Sequence, residues 1–193
     1  MAQLTATLRE GGVILMPTET VYGLFADSQQ ASAVEAIYRL KGRDRTKPLS
    51  LNVTSLKEIY AFSTHHPDYL DRLYKTFLPG PLTIILEANE RVPYWVNAGK
   101  ATIGFRVPNH SGLLSMIETI GPLAGTSANL SGKTSGHHFQ NIQEQFNGQL
   151  PGLADDASLS GVDSTVLDLT QTTPTILRQG PISYDAIMAV LQK

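Results

Sequence analysis

Val13-Ile14-Leu15-Met16-Pro17-Thr18-Glu19-Thr20-Val21-Tyr22-Gly23-Leu24 is the stretch that decides the fold class. Its four leading apolar residues are too few for a helix and read as a buried strand, which Pro17 ends because proline cannot donate to a sheet ladder. The next eight residues, 17–24, hold two hydroxyls, a carboxylate and a phenol. Loops that leave strand ends are where α/β proteins usually build their sites. Taken alone, the segment is equally well a plain turn with capping threonines.

Upstream of it, Leu4 and Leu8 predict a short amphipathic helix ended by Gly11-Gly12. Downstream, Ser32 and Glu35 have the spacing of a capping box, Val34, Ile37 and Leu40 share one helical face, and Gly42 stands where a helix end takes a left-handed residue. Further strands fit residues 49–53, 82–86, 102–107, 165–169 and 175–177. Further helices fit 55–60, 67–77, 112–120, 139–146 and 183–191. Strands interleaved with helices predict an α/β domain over 1–193, with a twisted mixed sheet and flanking helices.

The chain has 193 residues, 41% apolar and 17% charged, ordinary values for one globular domain. It has no cysteine, which excludes disulfides, thiolate metal sites and cysteine nucleophiles. The N-terminus lacks a basic stretch followed by a long apolar one, and the first apolar run falls far short of the ~20 residues of a membrane span. The expectation is a cytoplasmic chain with no membrane association.

Charge is distributed unevenly. Arg39, Lys41, Arg43, Arg45 and Lys47 face a single acid, Asp44, within residues 39–47, a local charge of +4 on a chain whose total is −2, so the remainder carries −6. Such a spot on an acidic body suggests a localised polyanion site more than a broad nucleic-acid face. The cations follow a helix and precede a strand, and a loop can aim several of them at one phosphate chain. A solvated loop kept for solubility is the alternative.

Ser131-Gly132-Lys133-Thr134 imitates the end of a phosphate-binding P-loop, but the glycine required at position 127 is Ser127, so that motif is rejected. What remains is a small-residue loop, Gly125-Thr126-Ser127-Ala128-Asn129-Leu130-Ser131-Gly132, able to let a ligand approach the backbone and rich in hydrogen-bonding groups. Asp163-Ser164-Thr165-Val166 opens a strand, and Arg178-Gln179-Gly180-Pro181 closes another. The pairs His65-His66 and His137-His138 point apart and lack an acidic partner at metal spacing, so they are expected at the surface. Asp155-Asp156 is expected in an ordinary loop, and no Ser/His/Asp order supports a hydrolase triad.

In combination, the segments resemble the YrdC/TsaC family of threonylcarbamoyl-AMP synthases. The resemblance rests on PTETVYGL at 17–24, KGR at 41–43 with KPL at 47–49, PGPLT at 79–83, TIGFRVP at 102–108, SANLSG at 127–132, DSTV at 163–166 and Arg178. Their order and separation match over nearly the whole chain, in the short form that lacks the longer members' additional C-terminal domain. The resemblance implies a YrdC-like fold with a concave basic site, and a nucleotidyltransferase that converts L-threonine, bicarbonate and ATP into threonylcarbamoyl-AMP and pyrophosphate. That product would serve N6-threonylcarbamoyladenosine modification of tRNA through a downstream transferase complex.

By the same resemblance, Lys41, Arg43, Ser127 and Asn129 form the catalytic constellation. Arg43, Lys47, Thr102, Ala128, Ser135 and Arg178 bind ATP. Thr20, Arg106, Thr126 and Ser164 surround threonine, with Arg106 suited to its carboxylate. Asn52 joins them on its own polarity. Magnesium is expected through the ATP phosphates, with no protein metal site. Two positions depart from the family pattern: Asp44 stands where members commonly have proline, and Asn52 where they commonly have histidine. Two alternatives stand beside this assignment, a paralogous enzyme making another carbamoyl adenylate and a non-enzymatic RNA-binding module with weak affinity. The second is opposed by the acidic remainder and by the absence of aromatic residues from 39–52.

Overall fold

The computed structural model describes residues 1–148 and 150–192, so Lys193, the last residue of the predicted domain, lies outside the described residues. In chain order the elements are α1 (Ala2–Arg9), β1 (Ile14–Met16), β2 (Gly23–Asp27), α2 (Ala31–Lys41), β3 (Ser50–Asn52), α3 (Leu56–Phe62), β4 (Ser63–Thr64) and α4 (Leu70–Phe77). They continue with β5 (Leu82–Ala88), α5 (Tyr94–Asn97), β6 (Thr102–Arg106), α6 (Ser111–Ile120), β7 (Leu123–Ser127) and α7 (Phe139–Gln145). A 3-10 turn (Asp156–Ser158), β8 (Thr165–Asp168), β9 (Thr175–Arg178) and α8 (Tyr184–Leu191) complete the chain.

One open, twisted sheet runs in the order β1-β2-β7-β3-β6-β5-β8-β9, with β4 paired to β5. The pairs β3/β6 and β5/β8 are parallel and the others antiparallel, so the sheet is mixed as expected. Side chains alternate between its faces. Leu51, Ile84, Ile103, Phe105 and Leu167 all lie on one face, fully or almost fully buried in a large core with residues of α2, α3, α4 and α8. The opposite face is covered by α1 and α6 only over the β1-β2-β7 end, where Leu4, Leu8, Leu113 and Ile117 pack on Ile14, Met16, Phe25 and Leu123. Over β3, β6, β5 and β8 that second face carries Ser50, Asn52, Thr83, Ile85, Gly104, Arg106 and Val166, and it stays open as a cavity. An antiparallel-rich sheet tolerates one such uncovered face.

Local chemistry accounts for several boundaries. Gly42 closes α2 at φ 56°, ψ 38°, the left-handed conformation anticipated there. Ser55 caps α3 by accepting from Glu58 N. The Ser32–Glu35 capping box does not form: α2 begins two residues earlier, with Gln30 at its N-cap and no side-chain cap, and Glu35 pairs with Arg45 instead. Two strands occupy residues expected as loops. Gly23-Leu24 opens β2 and Gly125-Thr126-Ser127 closes β7, and the two pair antiparallel from Gly23↔Ser127 to Asp27↔Leu123. Among the described residues, no helix is long and apolar enough to cross a membrane.

Candidate active site

The open face holds a cavity of about 310 Å³ whose lining draws on residues from Thr18 to Arg178. Its charged lining residues are Arg43, Arg106, Arg178 and Asp163. The floor depends on glycine: a Cβ on Gly125 would stand 2.5 Å from Asn52 Nδ2 and 2.7 Å from the Phe25 ring, so no larger residue fits without displacing both.

Lys41 ends α2 only 2% exposed, and its ammonium crosses to the loop after β7. It donates to the Ser127 carbonyl, to the Asn129 carbonyl at 2.6 Å and to Asn129 Oδ1 at 3.2 Å. Ser127 Oγ donates to the same Oδ1 at 2.6 Å, and the Asn129 amide donates to the carbonyls of Leu130 and Lys133. Three donors therefore meet three acceptors, and the ammonium is saturated by its own chain. Burial, with Arg43 as a nearby like charge, lowers the Lys41 pKa from 10.5 to about 7. Ala128 sits inside this loop, buried, with its N–H donating to Tyr22 O at 2.8 Å.

Arg43 is braced differently. Its Nε donates to the Lys47 carbonyl at 3.2 Å and its Nη2 to the Pro48 carbonyl at 2.9 Å, which fixes the guanidinium while leaving other donors at the cavity wall. Asp44 does not intrude on the cavity. Its Oδ1 accepts from Thr46 N at 2.9 Å and Thr46 Oγ1 at 2.8 Å, a local turn that shapes the loop. Lys47 is exposed and does not line the cavity.

At the other end, Arg106 leaves β6 into a ring of acceptors. Its Nη2 donates to Glu19 Oε1 at 2.8 Å, Thr20 Oγ1 at 2.5 Å and Thr18 Oγ1 at 3.4 Å. Glu19 Oε2 accepts from Asn109 N, so the carboxylate is itself held. Arg106 Nε is buried without a partner among the described residues, an unusual cost for a charged group. Arg178 approaches from β9, where a bulge places Leu177 outside the ladder and turns the arginine toward the cavity. Its Nε donates to the Ser164 carbonyl at 3.0 Å and its Nη2 to Ser164 Oγ at 3.1 Å. Asp163 lies 3.9 Å from Arg178 Nη1 and accepts from Ser135 Oγ at 3.0 and 3.1 Å.

Comparison with known proteins places this arrangement. The family model for Sua5, YciO and YrdC proteins, described as telomere recombination, matches residues 6–180. The chain belongs to the Sua5/YciO/YrdC family. Within the family it is 38% identical to the threonylcarbamoyl-AMP synthase of Pyrococcus abyssi over 95% of this chain and 55% of that one. It is 37% identical to the Bacillus subtilis threonylcarbamoyl-AMP synthase over 99% of this chain and 56% of that one. The crystal structure of Pyrococcus abyssi Sua5 complexed with L-threonine superposes with a TM-score of 0.92 at 36% identity, covering 98% of this chain and 56% of that one. The chain thus spans about half the length of these relatives.

For this family member the structure gathers Arg43, Asn52, Arg106, Thr126, Ser127, Ser164 and Arg178 around one cavity. Lys41, Asn129, Thr20 and Ser135 stand behind that lining and touch it through hydrogen bonds. Thr102 shares the face of Gly104 and Arg106 but lies at the far end of β6, paired with Glu87. Asn52 donates to the Leu123 carbonyl at 3.2 Å, tying β3 to β7. Ser50, Thr83, Asp163, Thr18 and Glu19 received no individual role in the sequence reading, although all but Ser50 lie in segments that it singled out. For Ser50 and Thr83 the signal was present: a polar residue beside an apolar one in Ser50-Leu51-Asn52 and Thr83-Ile84 marks a strand with one uncovered face. Asp156 is also more than a loop acid, since it accepts from the Tyr22 phenol at 2.7 Å and from Phe139 N at 2.9 Å at the start of α7. Burial raises the Tyr22 phenol pKa, and the contact with Asp156 adds to it. Among the described residues, no group of three or more His, Cys, Asp or Glu side chains is arranged to hold a metal ion.

Proposed function

We propose that this chain is an L-threonylcarbamoyl-AMP synthase that forms the adenylate and pyrophosphate from L-threonine, bicarbonate and ATP, for threonylcarbamoyladenosine modification of tRNA. The observation that carries it is the division of cations around one cavity: Arg106 at one end with a buried, unpartnered Nε, and Arg43 and Arg178 elsewhere on the wall. An amino-acid carboxylate suits the first, because a guanidinium fork pairs with a carboxylate. A triphosphate suits the other two. Curated relatives that bear the synthase name at 37–38% identity support the same conclusion.

The threonine carboxylate docks on Arg106, with Thr20, Thr126, Ser164 and Asn52 around the rest of the molecule. The amine nitrogen bonds to the carbon of bicarbonate-derived carbon dioxide, losing a proton and forming a carbamate. A carbamate oxygen then attacks the α-phosphorus, the bond to the bridging oxygen breaks, and pyrophosphate leaves with the electron pair. Arg43 and Arg178, joined by Lys47, neutralise the charge that develops on the phosphate oxygens. Ser127, Ala128, Ser135 and Thr102 complete the nucleotide side. Lys41 acts through the loop it pins, holding Ser127 and Asn129 in place. Magnesium, when bound with the nucleotide, supplies charge neutralisation. Asp163, the single carboxylate of the lining among the described residues, would be the protein group to hold it beside the substrate phosphates, where the sequence reading expected the phosphates alone. A cytoplasmic chain that hands its product to a tRNA-modifying transferase, with weak RNA affinity of its own, fits this scheme.

The test is incubation with ATP, magnesium, bicarbonate and isotopically labelled threonine, followed by the mass of the product. Pyrophosphate release that depends on threonine, with the labelled adenylate, is expected. Equal release without threonine points to the paralogous carbamoyl-adenylate chemistry instead.

A further inference from the structure

We propose that the cleft between α2 and α5 is a second binding site, separate from the adenylation cavity, and that it takes a nucleobase. The cleft encloses about 430 Å³ and is lined by Glu35, Tyr38, Arg45, Tyr94, Trp95 and the Ala98-Gly99 turn. Its aromatic wall is built and held. Trp95 Nε1 donates to the Ser28 carbonyl at 2.9 Å, and Tyr94 meets the indole edge-on with ring centroids 5.0 Å apart. Tyr94 is nevertheless 72% exposed, a large aromatic surface left to water beside a cavity. Ala98 and Gly99 both adopt positive φ, which turns the chain sharply and keeps bulky side chains out of the floor.

The polar part of the lining selects the ligand. Arg45 pairs with Glu35, its Nε donating to Oε2 at 3.1 Å, so donors and an acceptor stand side by side at the rim. A purely apolar ring would leave that edge unmatched. A cation is disfavoured because Arg45 neutralises the charge of Glu35, while Arg39 lies one turn along the same face of α2 and Lys100 follows Gly99 at the α5 wall, both exposed. A flat heterocycle with donors and acceptors on its edge, carrying phosphate toward those cations, satisfies all three features. The basic stretch 39–47 lacks aromatic residues of its own, and the fold supplies them from about fifty residues further along the chain. The wall also touches the adenylation cavity: the Tyr38 phenol donates to the Lys47 carbonyl at 3.1 Å, the same oxygen that braces Arg43.

Trp95 is the chain's sole tryptophan, so its emission reports on this cleft directly and without reference to adenylate formation. The experiment titrates the full chain with adenosine and, separately, with a short single-stranded oligoribonucleotide while Trp95 fluorescence is followed. A saturable change is expected. Tyr94→Ala should weaken it by about tenfold or more, with the unfolding midpoint and threonine-dependent pyrophosphate release unchanged. Arg45→Leu should weaken it as well. Tighter, salt-sensitive binding of the oligonucleotide identifies an unpaired base in a strand as the source, and equal binding of adenosine identifies a free nucleoside or nucleotide. No saturable change with either probe, or equal affinity in Tyr94→Ala, overturns the proposal.

Discussion

Lys41 ends α2 and Arg43 follows two residues later, yet the two cations serve the cavity under opposite conditions, Lys41 from behind its lining and Arg43 on it. The ammonium of Lys41 is buried and spends all three donors on Ser127 and Asn129. Arg43 fixes itself with two donors on the backbone of its own loop and keeps the rest at the cavity wall. The difference shows that positive charge in a motif is not one property. A compact ammonium with three radiating donors is suited to gathering a loop around itself. A planar fork with five donors can be anchored and still present an unspent edge to a ligand.

The most forceful way to break this contrast is Arg43→Ala. Removing one preorganised donor aimed at developing charge typically costs about 100-fold or more in rate, so threonine-dependent pyrophosphate release should fall by about that factor while the unfolding midpoint holds. Unfolding of the variant would show that the bracing of Lys47 and Pro48 is the arginine's main role. Lys41→Met should show the complementary pattern. Two carbonyls lose their donor, and relief from burying a charge offsets part of that loss, so unfolding free energy should drop by about 1–3 kcal/mol. Activity should fall with it, because Ser127 and Asn129 lose their tether. Unchanged stability in urea would contradict the tethering role.

Solution pH sharpens the contrast further. The Lys41 value is about 7 in the folded chain against 10.5 ordinarily. Between those values the unfolded chain holds a proton that the folded chain does not. Its contribution to stability therefore rises as pH climbs through 7, levels off near 10.5, and is flat below 7, where both states are protonated. Urea unfolding across that range should show the rising component in the parent chain and lose it in Lys41→Met. The smallest effect belongs to Tyr22→Phe, which deletes the hydroxyl between Asp156 and Asp155 N. A loss of about 1 kcal/mol is expected by thermal unfolding, with adenylate formation nearly intact.

The sequence revealed the fold wherever one face of an element was consistently apolar. The helices at Val34-Ile37-Leu40 and residues 183–191, and the strands at 82–86 and 102–107, follow that rule. It failed at β2 and β7. Gly23-Leu24-Phe25-Ala26-Asp27 and Leu123-Ala124-Gly125-Thr126-Ser127 are small-residue segments with weak strand propensity, and they are strands because neighbours on both sides pair with them. The site showed the same limit. Side chains such as Arg43, Arg106 and Arg178 stand out by charge, whereas the partnership of Glu19 with Arg106 spans 87 positions and has no local signature. The small glycine floor at Gly125 likewise has a physical reason that appears only when Phe25 and Asn52 are seen against it.

The bulge that turns Arg178 toward the cavity lies on β9, the last strand of the sheet and the outermost beyond β8. Residues that answer one another across the cavity are thus separated by nearly the full span of the chain, from Thr18 to Arg178. Contacts of such high sequence separation form late, after the local hairpins and helices. During synthesis, most of the sheet can condense before its final edge strand emerges from the ribosome. A chain cut before β9 would keep the pairings among the other strands yet leave the cavity without Arg178.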